Sequence, residues 1–413
     1  MSQPATATEG GIRSTRYEFV REDVPGEFVE DPEFMHPSDN VVSFEWSPDG
    51  GVEPREGLGT PDVVRHDNGP ESHDLTLEYD LQRFPVDGTG EPLDLSGDGL
   101  LRVGPQNALP NTHTVVRRQS ADGLSPSQTV NGDESRDTRI FTVCLGGKID
   151  SLSYNGDPSS DQPVVTNVDY MLEKGRQYQV DQPDEESILS IENTGTSPVD
   201  VTIEDEDAET TETLTVDGGE TEVTVDEFAD IDAVMLDTDI DGNVIISEDE
   251  GVDLCIIKGS DHYGHGEGDR GIPALGSGSH ADPIDEPYEM ILEDELQQPV
   301  GETLAFEINS VEYSVNNNVD GREQLGTPRM ALSAGSRDIE VTTTIIGESE
   351  SVRTADHHLS VTQNDIRWIM VGGYIQADNA ALTDFGGVND EVGESAMALD
   401  NTFTGEGITV TAE

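Results

Sequence analysis

A run of acidic residues near the middle of the chain has the spacing of a calcium-binding loop. The segment DTDIDGNVIISE places oxygen-bearing side chains at alternate positions and a glutamate at its end, namely Asp237, Asp239, Asp241, Asn243 and Glu248. Ca²⁺ takes about six to eight oxygen ligands, which such a loop supplies from alternate residues and a terminal bidentate glutamate. The spacing therefore indicates a candidate metal site, and calcium is the one cofactor that the sequence suggests.

A β-hairpin explains the same residues without a metal. The apolar runs AVML and NVII flank an Asp-Gly pair, which is a common turn of two-residue hairpins. A chain with 87 acidic residues also brings aspartates close together by composition alone. We favour the hairpin and expect no tightly bound ion at this loop.

Two copies of one polar loop form the second candidate site. Each copy has an Arg-Glu pair followed by Leu-Gly-Thr-Pro, and the residues are Arg55, Glu56, Leu58, Gly59, Thr60 and Pro61 in the first copy and Arg322, Glu323, Leu325, Gly326, Thr327 and Pro328 in the second. One interpretation is a local turn, because glycine permits positive φ and proline stiffens the chain. The other is a contact between subunits, in which arginine pairs with a carboxylate of the neighbour and leucine fills a pocket. The two are compatible, and we expect an assembly interface.

The motifs of common catalytic sites are missing from the sequence. It contains no Walker loop, no dinucleotide fingerprint, no GxSxG elbow, no HExxH pair and no CxxC pair. The histidines of the segment 259–283 lie in a glycine-rich stretch, for which a solvated loop is the favoured interpretation. We therefore expect a protein that is not an enzyme.

The elements around the two polar loops are predicted strands, and they occur twice. SFEWSPDGGVEPREGLGTP at 43–61 matches SVEYSVNNNVDGREQLGTP at 310–328 without a gap, and ten of the paired residues are identical. Each copy then runs through a polar loop into an alternating strand, DLTLEYDL at 74–81 and DIEVTTTI at 338–345. Alternation places every second side chain of a strand on one face. We predict an internal duplication in which each copy is built as strand, long loop, strand.

Between the two copies the pattern changes to short strands separated by Gly, Asp and Asn turns, which is typical of a small β-sandwich. We predict an inserted immunoglobulin-like β-sandwich at 181–253. It would lie between a first lobe with an N-terminal arm at 1–180 and a linker loop with a second lobe at 254–413. Because polar segments flank it, we expect this insert to be peripheral.

The sequence predicts little helix and no functional role for its two cysteines. The best short helix candidates are MILEDELQ at 290–297 and ESAMALD at 394–400. Cys144 and Cys255 both lie in apolar, strand-like runs, where buried thiols are expected.

The charge balance is extreme along the whole chain. Acidic residues number 87 and basic residues 21, for a formal charge of -66. Like charge loosens a compact fold at low ionic strength, whereas at 1 M salt the screening length falls to about 3 Å. We predict a halophilic protein with an acidic composition, made in a high-salt cytoplasm. The start MSQPATATEGG lacks the features of a secretory signal and no apolar run is long enough for a membrane span, so we expect no membrane insertion.

In its two repeated strand-and-loop segments the chain resembles the tandem-duplicated tail-tube proteins of long-tailed, siphovirus-like viruses. The resemblance lies in FEINSVEYSVNNNVDGREQLGTP and GSRDIEVTTTI within 306–345, in the earlier copy of this run, and in the segment 145–176. In that family a strand leads into a long loop that engages the neighbouring ring. Duplicated members supply the six lobes of a ring from three chains.

The resemblance implies a mainly β fold with two duplicated lobes of the β-sandwich or β-barrel type. It implies a major tail-tube subunit that assembles as stacked trimeric, pseudo-hexameric rings and forms the conduit for DNA ejection. Viral DNA would pass without specific binding, because a carboxylate-rich lumen repels phosphate. Implied partners are further copies of the chain and tail terminator, tape-measure and baseplate proteins.

The implied location is the tail of a virion that is assembled in the cytoplasm of a halophilic archaeal host. A capsid decoration or shell protein of a halophilic virus is the alternative, because duplication and β-sandwiches suit shells equally well. A carbohydrate-binding surface protein or a glycan-cleaving enzyme is a third class. The missing export signal and the missing isolated carboxylate pair count against it.

Overall fold

The computed structural model describes the strands of the chain and many of the segments that join them. The described residues are 12–22, 25–26, 41–49, 52–56, 63–68, 71–80, 112–121, 129–130, 136–156, 164–205, 210–248, 251–259, 270–273, 296–297, 303–304, 307–323, 330–346, 363–370, 373–385 and 398–412. Every regular element in these ranges is a β-strand, which confirms the predicted mainly β fold. Residues 296–297 and 398–400 belong to strands, so the helix prediction is wrong for the described parts of both candidates.

The strands fall into three groups along the chain. The first group is β1 (Ile12–Arg21), β2 (Val41–Asp49), β3 (Val52–Glu56), β4 (Val63–Asn68), β5 (Ser72–Asp80), β6 (His113–Ala121), β7 (Thr138–Gly156), β8 (Val165–Leu172) and β9 (Lys174–Asp181). The second is β10 (Ser187–Asn193), β11 (Val199–Glu204), β12 (Thr211–Val216), β13 (Thr221–Phe228), β14 (Ala233–Leu236), β15 (Val244–Glu248), β16 (Asp253–Ile257) and β17 (Gly271–Ile272). The third is β18 (Leu296–Gln297), β19 (Thr303–Leu304), β20 (Glu307–Asn316), β21 (Val319–Glu323), β22 (Met330–Ala334), β23 (Asp338–Ile346), β24 (Gln363–Met370), β25 (Gly373–Phe385), β26 (Ala398–Gly405) and β27 (Gly407–Ala412).

Alternating apolar and polar side chains build the first lobe. In β5, Leu75, Leu77 and Tyr79 are buried, whereas Thr76 between them is exposed. β5 pairs antiparallel with β2 on one side and with β8 on the other. β8 also pairs with the second half of β7, which makes the strand order β2, β5, β8, β7.

Strand β7 contributes side chains to two hydrophobic cores, one in the first lobe and one shared with the second strand group. Its first half pairs with β6 and β9. Successive side chains there alternate between the two cores. Phe141 and Val143 belong to the hydrophobic cluster that contains the apolar residues of the second strand group, while Cys144 belongs to the cluster that contains Tyr17 and Leu75 of the first lobe. Both faces of the strand are therefore covered, which explains why its first half is almost continuously buried.

The inserted sandwich consists of two antiparallel sheets. One has the order β13, β10, β15, β16 and the other the order β12, β11, β14, β17. The sandwich thus runs to Ile272, beyond the predicted boundary at residue 253. β16 also pairs with β9, where Cys255 lies opposite Val180, so the first sheet continues into the first lobe.

Buried ion pairs join the insert to the first lobe. Asp232 of the insert accepts hydrogen bonds from Arg118 at 2.8 Å and from Arg139 at 3.0 Å, and both arginines belong to the first lobe. Arg136 donates to Glu248 of the insert at 3.0 Å. The expectation of a closed, separate module is therefore wrong for the described residues, because the insert shares a sheet, a core and buried charges with the lobe beside it. Whether the insert is peripheral to the assembly stays a prediction.

The second lobe repeats the strand order of the first. β20, β23, β26 and β25 pair in sequence, as β2, β5, β8 and β7 do. An irregularity in register between Val41 and Ser43 of β2 recurs between Ile308 and Ser310 of β20. The two irregularities match in the same gapless alignment that matches the polar loops, in which Ser43 corresponds to Ser310. The duplicated loops therefore belong to duplicated folds.

A second stretch of the duplication is visible only in the fold. β7, β8 and β9 correspond to β25, β26 and β27 in a gapless alignment that matches Ile149 with Leu382. The irregularity between Ile149 and Ser151 recurs between Leu382 and Asp384, each against the equivalent neighbouring strand. Few residue types are shared between these stretches, so the strand pairing reveals the equivalence where the residue identities do not.

The same alignment relates two residues with positive φ. Gly146 has φ of 67° and Asn379 has φ of 49°, in a region that glycine adopts freely and asparagine tolerates better than most residues. The backbone N–H of Glu173 donates to the carbonyl just before Gly146 at 3.1 Å, and that of Glu406 donates to the carbonyl just before Asn379 at 2.9 Å. Backbone geometry is thus conserved between the lobes although the side chains differ.

Candidate assembly site

The two Arg-Glu pairs lie at the ends of equivalent strands. β3 pairs with β4 and β21 pairs with β22, each as a separate two-stranded sheet. Arg55 lies opposite Arg65, Arg322 lies opposite Ala331, and the side chain of Arg322 is exposed. The predicted long loop is therefore a hairpin over its described part in both lobes, and the pattern missed the four short strands of these two hairpins.

The remaining residues of the predicted interface fall outside the described residues. They are Leu58, Gly59, Thr60 and Pro61 in the first copy and Leu325, Gly326, Thr327 and Pro328 in the second. Glu56 and Glu323 are described in their backbone pairing, opposite Val63 and Met330. A role for these residues in assembly stays a prediction.

The two lobes are joined within the chain by what we call the internal junction, the pairing of 151–156 in β7 with 311–316 in β20. The strands run antiparallel, and the two tyrosines Tyr154 and Tyr313 lie opposite each other. Both tyrosines are buried, and the hydroxyl of Tyr313 donates to the carbonyl of Ile366 at 3.0 Å. One sheet therefore passes without interruption from the first lobe into the second.

Polar side chains close the internal junction at one end. The carboxylate of Asp150 accepts the backbone N–H of Val319 at 2.7 Å. The Asn317 amide donates to the carbonyl of Ile149 at 2.9 Å, and the Lys148 ammonium donates to the carbonyl of Leu332 at 2.6 Å. These contacts tie the hairpin formed by β21 and β22 to the first lobe.

Lys148 was missed as a candidate by sequence reasoning. Its side chain is largely buried, and burial lowers the pKa of its ammonium from the ordinary value, while the nearby Glu173 opposes this shift. The signal that could have identified it is the scarcity of lysine, since only Lys148, Lys174 and Lys258 occur in the chain. A buried lysine in such a composition has a specific contact to make.

The segment 237–248, which has the spacing of a calcium-binding loop and is called the calcium-like loop below, begins in the connection between the two sheets of the sandwich. β14 ends at Leu236 in one sheet of the sandwich, and β15 begins at Val244 in the other. The predicted hairpin is therefore wrong, since β14 pairs with β11 and β17 and β15 with β10 and β16. A Cβ atom on Gly242 would lie 2.3 Å from the backbone nitrogen of Gly195, so this crossing is packed closely against the turn at 194–196.

The five oxygen-bearing side chains of that loop have separate partners. The Asp237 carboxylate accepts the N–H of Asp200 at 2.9 Å, that of Asp239 pairs with Arg270 at 3.3 Å, and that of Glu248 pairs with Arg136. Asn243 accepts the N–H of Gly259 at 3.3 Å. In the described part of the chain no three metal-binding side chains of the His, Cys, Asp and Glu types come together. The expectation that no ion is tightly bound here stays untested, and so does the alternative of a calcium site.

Asp241 is held by two hydrogen bonds from one residue. It accepts both the hydroxyl and the backbone N–H of Thr196, and these bonds hold the pKa of its carboxyl below the ordinary value. The carboxylate therefore caps the neighbouring turn and fixes the crossing between the two sheets.

Both cysteines are free and buried, as the sequence predicts. Burial raises the pKa of the Cys255 thiol to about 12 and raises that of Cys144 as well. Neither thiol is ionised near neutral pH, which makes both poor nucleophiles.

Comparisons with known proteins add little to this geometry. No protein-family model matches the chain, and no curated protein matches it. The chain is similar, at 15% identity and a TM-score of 0.25, to a chain in the structure described as "Cryo-EM structure of the anti-feeding prophage (AFP) baseplate, 6-fold symmetrised", over 43% of this chain and 97% of that one. A likeness at this TM-score supports no argument. No helix in the described ranges has the length and apolar character to span a membrane.

Proposed function

We propose that this chain is a structural protein of a virion, namely the major tail-tube subunit of a long-tailed virus of a halophilic archaeon. The observation that carries the proposal is the duplication. Two lobes with the same strand order, the same irregularities and the same loop hairpins lie side by side in one continuous sheet.

A chain of this design suits a closed ring. Each lobe presents its first strand on one side and its fourth strand on the other, and the internal junction joins the fourth strand of one lobe to the first strand of the next. Repeating that step around an axis generates a ring without exposed strand edges. Three chains would supply six lobes. The hairpins β3–β4 and β21–β22, with the polar loops that they carry, would contact the adjacent ring in a stack.

The charge of the chain supports a passive conduit for DNA. With a formal charge of -66, the protein repels phosphate instead of binding it. DNA then slides through the lumen during ejection without specific contacts. Tail terminator, tape-measure and baseplate proteins are the proposed partners at the ends and in the lumen of the tube, and the proposed subunit performs no catalysis.

Electron microscopy of the purified chain tests this proposal. In molar salt the protein is expected to form tubes of stacked rings with three chains in each ring. Shells or spikes would favour the alternative of a capsid component, and a ring with any other number of chains would contradict the pseudo-hexameric arrangement.

The predicted contact of the loop hairpins has its own test. Leu58→Asp and Leu325→Asp each place a charge in a proposed desolvated pocket, at a cost of several kcal/mol per contact. Either substitution should block stacking but leave the rings and the fold intact. Val225→Asp is the matched control, because Val225 is 82% exposed on the insert. Normal tubes from both leucine variants would contradict the contact.

A further inference from the structure

The first strands of the two lobes differ in how they are covered. β20 has hydrogen-bonded neighbours on both sides, β23 and β7. Its equivalent β2 has, among the described residues, a strand neighbour on one side only, which is β5. β2 is also firmly held from that side, since the ring of Trp46 stacks on His73 with centroids 5.9 Å apart. It therefore offers an ordered edge for another strand.

The fourth strands in the order of the two lobes, β7 and β25, also differ in whether both of their sides are paired. The second half of β7 pairs with β8 and with β20. The equivalent end of β25, at Asp384 and Phe385, pairs with β26 and has no second strand neighbour in the described part of the chain. One chain thus contains one complete junction between lobes and the two separate sides of a second.

We propose that the edge of β2 in one copy of the chain pairs with the end of β25 in another copy, in the register of the internal junction. This inference rests on the proposed ring and deepens it by defining the contact between chains, which we call the external junction. The alignment of β20 with β2 and that of β7 with β25 give the residues that would lie opposite each other in the external junction. Asn316 opposite Ser151 becomes Asp49 opposite Asp384, and Val315 opposite Leu152 becomes Pro48 opposite Phe385.

The external junction differs from the internal one in charge. In the internal junction the pair at this position is neutral, whereas the external junction sets two exposed aspartates, Asp49 and Asp384, directly opposite each other. Side chains directly opposite on an antiparallel pair are about 5 Å apart, and like charges there are destabilising. Salt screens charge over about 10 Å at 0.1 M and about 3 Å at 1 M, so high salt weakens this repulsion. Ring closure is therefore controlled by ionic strength.

The external junction also lacks the polar closure of the internal one. The positions of Lys148 and Asp150 are occupied by Ala381 and Thr383 in β25, which carry no ammonium and no carboxylate, so the charge-assisted hydrogen bonds of the internal junction have no counterpart there. Pro48 has no backbone N–H to donate. The contact between chains is thus weaker than the contact within the chain, so chains remain separate at low salt and join at high salt.

A salt titration of association with a double-mutant cycle tests the charge pair. Asp49→Asn and Asp384→Ser copy the internal junction, and each should raise the association constant at low salt about fourfold. The double variant should gain no more than either single variant, since one substitution already removes the repulsion. Asp217→Asn, in an exposed turn of the insert, is the control for loss of one charge. Additive gains no larger than the control would overturn the charge pair.

Disulfide trapping tests the geometry. A mixture of Asp49→Cys chains and Asp384→Cys chains should form a disulfide between the two types on oxidation in molar salt. Disulfide-linked dimers of Asp49→Cys chains alone would mean that two β2 edges pair with each other, and the proposal would fail.

The outcome is separable from that of the proposed function. Tubes without the mixed disulfide would leave the tail-tube role in place and overturn this junction. The mixed disulfide in assemblies that are not tubes would support the junction and count against the tail-tube role.

Discussion

Phe141 lies in the core that the first lobe shares with the insert, and its removal tests whether the two fold as one unit. The side chain is 0% exposed, and it packs in one cluster with residues such as Leu189 and Ile246 of the insert. Truncation of a fully buried phenylalanine to alanine costs about 3 to 5 kcal/mol, from the lost burial and the cavity that remains. For a unit of about 150 to 250 residues this lowers the unfolding temperature by roughly 10 °C.

Hydrogen exchange of Phe141→Ala in molar salt, followed by mass spectrometry, locates the effect. Amides of β10 and β15 in the insert and amides of β6 and β7 in the lobe should all exchange faster by a similar factor, because they open together. Val225→Ala is the control, and it should change stability by less than about 0.5 kcal/mol because the side chain is 82% exposed. Unchanged exchange in β10 and β15, with faster exchange in the lobe alone, would refute the shared core.

Three further predictions concern buried polar groups. Asp232→Ala leaves two buried arginines without their common carboxylate and should cost about 3 kcal/mol in urea unfolding, whereas Asp217→Ala at an exposed turn should cost almost nothing. Burial raises the pKa of Glu22 in the folded state from 4.5, so its contribution to stability is present at low pH and is lost as pH rises through the folded-state pKa. The free energy of unfolding of the native chain relative to Glu22→Gln should therefore increase as pH falls from neutral towards 4.5, and a difference independent of pH would contradict this assignment. Cys144 and Cys255 should react with a thiol reagent only after unfolding, and rapid reaction in the folded protein would show that one of them is accessible.

Local pattern predicted the strands best where one face of a strand is covered. The alternation in 74–81 and 338–345 corresponds to β5 and β23, because a period of two is a direct consequence of strand geometry. The short hairpins β3–β4 and β21–β22 were missed, since their polar residues carry no such alternation. The calcium-like loop was misjudged because an Asp-Gly pair between apolar runs also suits a crossing between two sheets.

The sequence by itself determined the class of the molecule: its acidity, its β-structure and the first stretch of its duplication, where identical residues survive in the polar loops. Tertiary structure alone decided the second stretch, in which β7 to β9 correspond to β25 to β27, because strand pairing depends on backbone hydrogen bonds that many side chains permit. It also decided that the insert shares a core with the first lobe, and that one junction lies within the chain while β2 and the end of β25 each have a strand neighbour on one side only among the described residues. These features depend on which distant strands meet, and residue pattern along a strand records only that one of its faces is buried.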